Sequence, residues 1–148
     1  MNYYDPEKAA RVWQRVQNGP ETVAVGLQGL LLQAVTEERT YIALSRRVPE
    51  EMGKTLQKMA RQEQKHIACL KGICTLVRGA APQHLIPAPQ TDATDVALRK
   101  CYRNALQSLA AYESRISDPD YGPVFFLLAQ EKRHHCLHIL SLLGNYSK

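Results

Sequence analysis

Apolar residues recur at intervals of three and four along nearly the whole chain, and no stretch alternates with a period of two. The pattern predicts helices and no strands. A short amphipathic stretch with Val12, Trp13 and Val16 opens at Asp5-Pro6 and stops at Gly19-Pro20, predicting a helix over 5–17. A longer helix follows over 21–47, with Leu27, Leu31, Ala34, Glu38, Tyr41 and Ser45 on one face. Pro49 breaks the pattern, and a helix over 50–78 ends at Gly79, a natural C-cap. Residues 80–91 hold Pro82, Pro87 and Pro89 and form the longest irregular connection. Helices over 92–117 and 119–143 complete the chain. Leu98, Cys101, Ala105, Leu109, Tyr112 and Ile116 line the first of these. Asp118-Pro119 opens the second, and Gly144-Asn145 stops it. Two helical hairpins joined by one long connection make an all-α four-helix bundle with a crossover, preceded by a short N-terminal helix, in a single domain over 1–148.

Polar residues interrupt the apolar faces in one repeated way. Gln62-Glu63-Gln64-Lys65-His66 has a counterpart 68 residues later, Gln130-Glu131-Lys132-Arg133-His134. Residues three apart on a helix lie about 60° apart, so each Glu–His pair points one way. Leu56, Met59, Ala60, Ile67, Leu70 and Ile73 share the face of Glu63 and His66. Val124, Leu127, Leu128 and Leu142 share that of Glu131 and His134. Both pairs are therefore expected in the interior, where an unpaired carboxylate is costly. Two outcomes remain open. A metal ion can bind the carboxylates and imidazoles, or the four can hydrogen-bond among themselves as a buried polar network. Tyr41 and Tyr112, 71 residues apart, mark the same internal repeat on the partner helices. Both are expected in the core with hydroxyls reaching a buried carboxylate.

Residues 21–143 resemble the ferritin-like superfamily, and within it the rubrerythrin-type di-iron domain. The resemblance rests on Glu63-x-x-His66, Glu131-x-x-His134, and Tyr41 and Tyr112 with their neighbours. It implies a bundle in which two helices give one Glu each and two give Glu-x-x-His. It also implies iron-dependent chemistry on oxygen or peroxide. The positions where that family keeps its lone Glu residues are Ala34 and Ala105 here. The expected ligands are then Glu63, His66, Glu131 and His134, enough for one iron, zinc or manganese ion. A second ion needs Glu38 or water. Glu38 lies about 6 Å along the axis from the level of Glu63, and its alternative is a rim carboxylate paired with Arg39 or Arg46. Glu37 and Glu113 read as solvated. His138, four residues from His134, has a spacing that can chelate a metal, and is otherwise a packing or second-shell residue like His135.

Composition narrows the function further. The net charge of +5 is spread among carboxylates without a basic run or interleaved aromatics, so nucleic-acid binding is not expected. The four cysteines, Cys69, Cys74, Cys101 and Cys136, form no Cys-x-x-Cys pair. No zinc ribbon or rubredoxin-type centre can be built from them, a disulfide scaffold is not expected at this length, and scattered thiols fit a reducing cytoplasm. An enzyme of this kind would take electrons from a separate carrier. No signal peptide is expected from the first residues, and Val23 to Val35 is too short to span a membrane. The surplus apolar positions Val23, Val25, Leu30 and Leu32 call for cover by the N-terminal helix, by a homodimer contact, or by both. Three functions follow: a rubrerythrin-like oxidoreductase, a mononuclear metal-binding or sensing protein, and a metal-free bundle with a structural or interaction role.

Overall fold

The computed structural model describes residues 6–80, 82, 86–88 and 90–146, with the side chains of 7–25 excepted. Among the described residues the chain forms four helices and no strand: α1 (Pro6–Ser45), α2 (Glu50–Arg78), α3 (Thr94–Glu113) and α4 (Gly122–Tyr146). The separate N-terminal helix expected over 5–17 is not a separate element. The backbone continues as α1 through Gly19-Pro20, with the loss of the one hydrogen bond that proline cannot donate. Asp5, the expected N-cap, lies outside the described residues, as do the side chains of Val23 and Val25. Leu30 is buried and Leu32 is 40 % exposed.

The turns follow their local chemistry. Pro49 directs the chain into α2, whose first turn carries Glu50 and Glu51 against the positive end of the helix dipole. Gly79 adopts φ 73 and its N–H donates to the Thr75 carbonyl, closing α2 with the left-handed cap that glycine alone enters without strain. Asp118 Oδ1 accepts the backbone N–H groups of Asp120 and Tyr121, each at 2.8 Å. This capped turn precedes α4, which begins three residues later than the proline suggests. At the other end α4 runs through Gly144-Asn145 to Tyr146.

The Arg47 guanidinium donates to the Asp92 carbonyl at 2.8 Å, and Lys100 pairs with the Asp92 carboxylate at 2.7 Å. The start of α3 is thereby held beside the α1–α2 turn. Residues 79–93 must return the length of α2, about 43 Å at 1.5 Å per residue. This is the crossover. α1 packs on α2 and α3 on α4, while α1 also meets α3 and α2 meets α4. Neighbours are antiparallel and diagonal partners run parallel.

The core has two apolar parts. One, toward the α1–α2 turn, holds Tyr41, Leu44, Leu56, Met59, Leu98 and Ile139 among others. The other, toward the α3–α4 turn, holds Leu27, Leu31, Leu70, Tyr112, Phe125 and Leu128 among others. Between them lies a layer of buried polar side chains: Glu37, Glu63, His66, Ser108, Lys132 and His135.

Candidate functional site

Every helix contributes to this layer. α1 gives Glu37 and Tyr41, α2 gives Glu63 and His66, α3 gives Ser108 and Tyr112, and α4 gives Lys132 and His135. At its centre the Lys132 ammonium donates to both Glu37 Oε2 and Glu63 Oε1. Ser108 Oγ donates to Glu37 Oε1 at 3.3 Å. The His135 ring sets Nδ1 3.2 Å from Glu63 Oε1 and Nε2 2.7 Å from the Gln62 side-chain amide. His66 Nδ1 lies 3.4 Å from Glu63 Oε2, and its Nε2 meets the carboxylate of Glu131. The two imidazoles stack with centroids 5.7 Å apart, and each is met edge-on by a tyrosine: His135 by Tyr41 at 6.0 Å and His66 by Tyr112 at 6.3 Å.

The charges within the layer compensate one another. Burial opposes ionisation of Glu63, but the Lys132 ammonium and the two imidazoles outweigh it and hold Glu63 well below the usual carboxylate range. Glu37 goes the other way: burial pushes it up to about 7 even beside Lys132, with the Glu63 charge adding to the rise. Burial would discharge Lys132, and the two carboxylates reverse that and keep it protonated. Burial likewise disfavours a charged His66, yet Glu63 and Glu131 raise it. Burial holds His135 below its ordinary value, where Lys132 and His66 add to the effect of burial and Glu63 opposes it. Burial then raises Tyr41 far above an ordinary phenol, with the Glu37 and Glu63 charges adding to it.

The layer corrects several expectations. Glu63 and His66 are buried as the spacing implies, but on α4 the inward residues are Lys132 and His135. His134 faces solvent, and so does His138. The Glu131 side chain is 40 % exposed and reaches in only to touch His66. The expected convergence of Glu63, His66, Glu131 and His134 is therefore incomplete. On a helix one residue of register is about 100° of rotation, enough to move a side chain from core to solvent. Leu127, placed inward by the motif, is 62 % exposed. Glu37, read as solvated, is buried, while Glu38 accepts from Gln64 at 3.3 Å at the rim. Glu113 pairs with Arg133 on the surface at 3.0 Å. Ala34 and Ala105 are core residues, as their type demands. Glu37 comes to the level of Glu63 from one turn further along because helical side chains lean toward the N-terminus. Tyr41 is buried as expected, but its hydroxyl makes no hydrogen bond among the described residues.

A different repeat accounts for all of this. Glu63 and Lys132 are 69 residues apart, and Glu37 and Ser108 are 71 apart. Advancing α2 by 69 puts the buried Gly53, Leu56, Met59, Ala60, Glu63, His66, Leu70 and Ile73 onto the buried Gly122, Phe125, Leu128, Ala129, Lys132, His135, Ile139 and Leu142. A Cβ on Gly53 would stand 2.7 Å from the Ser45 carbonyl oxygen, and one on Gly122 2.2 Å from that of Ile116, so even the close approaches match. Equivalent residues touch across the centre: Glu37 with Ser108, Glu63 with Lys132, His66 with His135. The Gln-Glu match at 68 is a coincidence beside this register, and the glycines and apolar positions carried the signal that separates the two.

The resemblance implies a metal in this layer, and the donor set does not fit one. An ammonium already lies between the two carboxylates best placed to bridge ions, and His134 is outside. Among the described residues no group of three or more His, Cys, Asp or Glu side chains is arranged to hold a metal ion. No helix of the described residues is long and apolar enough to cross a membrane. Comparisons with family models, with curated proteins and with solved structures gave no match.

Proposed function

We propose that this chain is a ferritin-like, rubrerythrin-type bundle in which a lysine stands where the metal would be, and that it works as a metal-independent structural or interaction module. The observation that carries this reading is the Lys132 ammonium, fully buried and bonded to both Glu37 and Glu63. In the 69- and 71-residue register the six stations are Glu37, Glu63, His66, Ser108, Lys132 and His135. A di-iron domain of the resembled type needs four carboxylates at these stations. Here two carboxylates face one cation supplied by the chain, so little negative charge is left to attract an ion. The oxidoreductase reading loses its bridging ligands for the same reason, and the buried thiols do not replace them. Burial pushes the Cys101 thiol up to about 12, and burial also raises Cys74 and Cys136. Thiols that stay protonated at neutral pH are poor nucleophiles toward peroxide.

The test is anaerobic loading with Fe(II), removal of excess metal, and addition of oxygen or peroxide. The expected result is no iron retained in the core and no turnover. Two irons per chain with rapid oxidation would overturn the reading and return the protein to the oxidoreductases, with Lys132 displaced from the centre.

A further inference from the structure

The two hairpins present interiors that agree in their apolar rows and differ in charge. Leu56, Met59, Leu70 and Ile73 on α2 fall in register with Phe125, Leu128, Ile139 and Leu142 on α4. Burial of these rows would be served as well by two like hairpins as by two unlike ones, because the hydrophobic effect is non-directional. The polar contacts are not so indifferent. Lys132 to Glu37, Lys132 to Glu63, Ser108 to Glu37 and His135 to Glu63 all run from one hairpin to the other. Gln62 and Glu131, also 69 residues apart, extend the pattern. Gln62 meets Nε2 of His135 at 2.7 Å, and Glu131 meets Nε2 of His66. Among the described residues of the layer, the one polar contact inside a hairpin is the 3.4 Å approach of His66 Nδ1 to Glu63 Oε2.

We infer that the inner face of α1–α2 is a recognition surface whose partner is an α3–α4 hairpin, and that residues 37, 63, 108 and 132 select this partner by charge, within one chain or between two copies of it. Two α1–α2 hairpins face to face would set four buried carboxylates together with no ammonium between them. Two α3–α4 hairpins would bury two ammonium groups with only the partly exposed Glu131 carboxylates near them. Either pairing leaves buried charge uncompensated, which is strongly destabilising. Only the unlike pairing gives each buried charge a counter-charge. Specificity therefore comes from the penalty on the wrong partner as much as from contacts with the right one. The choice of partner rests on the reading of Lys132 as the layer's own cation.

Three variants of the full chain test it in chelator, by thermal melting and by mass in solution. Ser108→Glu with Lys132→Glu makes both hairpins acidic. Glu37→Ser with Glu63→Lys makes both basic. All four substitutions together invert the layer. Each like-charged chain alone should melt far below the parent, whereas the inverted chain should melt well above both and sediment as a monomer. The two like-charged chains, refolded together in equal amounts, should regain a higher transition at twice the monomer mass, because each then meets hairpins of opposite charge. An inverted chain that melts no higher than the like-charged ones would overturn selection by charge. So would a like-charged chain that pairs with itself and melts like the parent. A mixture that melts as its components do separately would overturn recognition between copies. Iron retained in the core of the parent would instead sink the reading of Lys132, a result that none of these melts in chelator produces.

Discussion

The first hairpin, α1–α2, brings Glu37, Tyr41, Glu63 and His66 to the centre of the bundle. The second, α3–α4, brings Ser108, Tyr112, Lys132 and His135 to the equivalent stations. The tyrosines and histidines are the same in both halves, and each tyrosine meets the histidine of the opposite hairpin edge-on. The carboxylates are not the same: two in the first half face a hydroxyl and an ammonium in the second. Two acidic halves would leave four buried carboxylates and would need a cation from solution. With one acidic and one basic half, the chain neutralises its own core. The difference teaches that this backbone arrangement closes its charge from within, and that the side chains of residues 108 and 132 are what the second half sets against Glu37 and Glu63.

The strongest way to break the comparison is to make the halves alike. Ser108→Glu with Lys132→Glu sets four carboxylates at the centre with no cation. In chelator the loss of stability should exceed the ~3–5 kcal/mol typical of one uncompensated buried charge. Iron, zinc or manganese should then restore stability by mass action and raise the melting temperature with concentration. The parent chain should not respond to Fe(II) in this way. A doubly substituted chain that melts like the parent, with or without metal, would show that these stations do not face one another.

A smaller effect follows from removing only the cation. Lys132→Met keeps most of the buried stem and leaves Glu37 and Glu63 without their shared partner. Denaturant unfolding should show a loss of ~3–5 kcal/mol. Replacing Glu37, Glu63 and Lys132 together by methionine should cost far less, because no charge is left unpaired. Equal losses in the two variants would mean that packing at residue 132, rather than charge, sets the cost.

The acidic half also predicts a pH dependence. Glu37 rises from an ordinary 4.5 to about 7 in the folded chain, so between these values the native state binds a proton that the unfolded chain has released. The stability contributed by Glu37 is therefore present below pH 4.5 and lost as pH rises toward 7. Glu63, held below 4.5, acts oppositely: its contribution is present above 4.5 and lost as the pH falls below it. His66, raised above its ordinary 6.5, contributes stability that is present below 6.5 and lost as pH rises through its folded value. His135 is lowered, so its contribution is lost as pH falls below 6.5. Glu37→Gln should remove the first component. Relative to the parent, the variant should gain on the order of 1–3 kcal/mol between pH 4.5 and 7.5. Parallel pH profiles for variant and parent would show that Glu37 does not titrate in this window.

The four bundle helices and the crossover were legible in the chain because each rests on local chemistry: the three-and-four spacing of leucines, Pro49, Gly79, and the prolines of residues 80–91; the break expected at Gly19-Pro20 was not, since α1 runs through it. Glu63 and His66 were legible for the same reason, since their flanks agree on one face. α4 was harder to read. It is apolar on both sides, with Leu127 and Leu137 exposed and Leu128 and Ile139 buried. Its periodicity therefore does not say which side faces in. The Gln-Glu motif then decided the face, and it was one residue out of step. Glu37 was hidden by the convention that a charged residue among charged residues is solvated, although Lys132 lay 95 positions away to receive it.

The smallest effect bears on the register itself. If α4 faces the core as described, His134→Ala removes an exposed side chain with no role in the buried layer. Its stability in chelator should stay within about 0.5 kcal/mol of the parent. His135→Ala, one residue on, empties a fully buried site, strips Gln62 of its 2.7 Å partner and removes the ring stacked on His66. Its loss should be about 2–4 kcal/mol, the combined range for a buried cavity and a broken polar contact. The 69-residue register predicts this order and the 68-residue register predicts the reverse. Two alanine substitutions read by urea unfolding therefore separate them: a large loss at His134 with none at His135 would rotate α4 by one residue. Glu131 and His134 would then stand at the centre, and Lys132 would leave it.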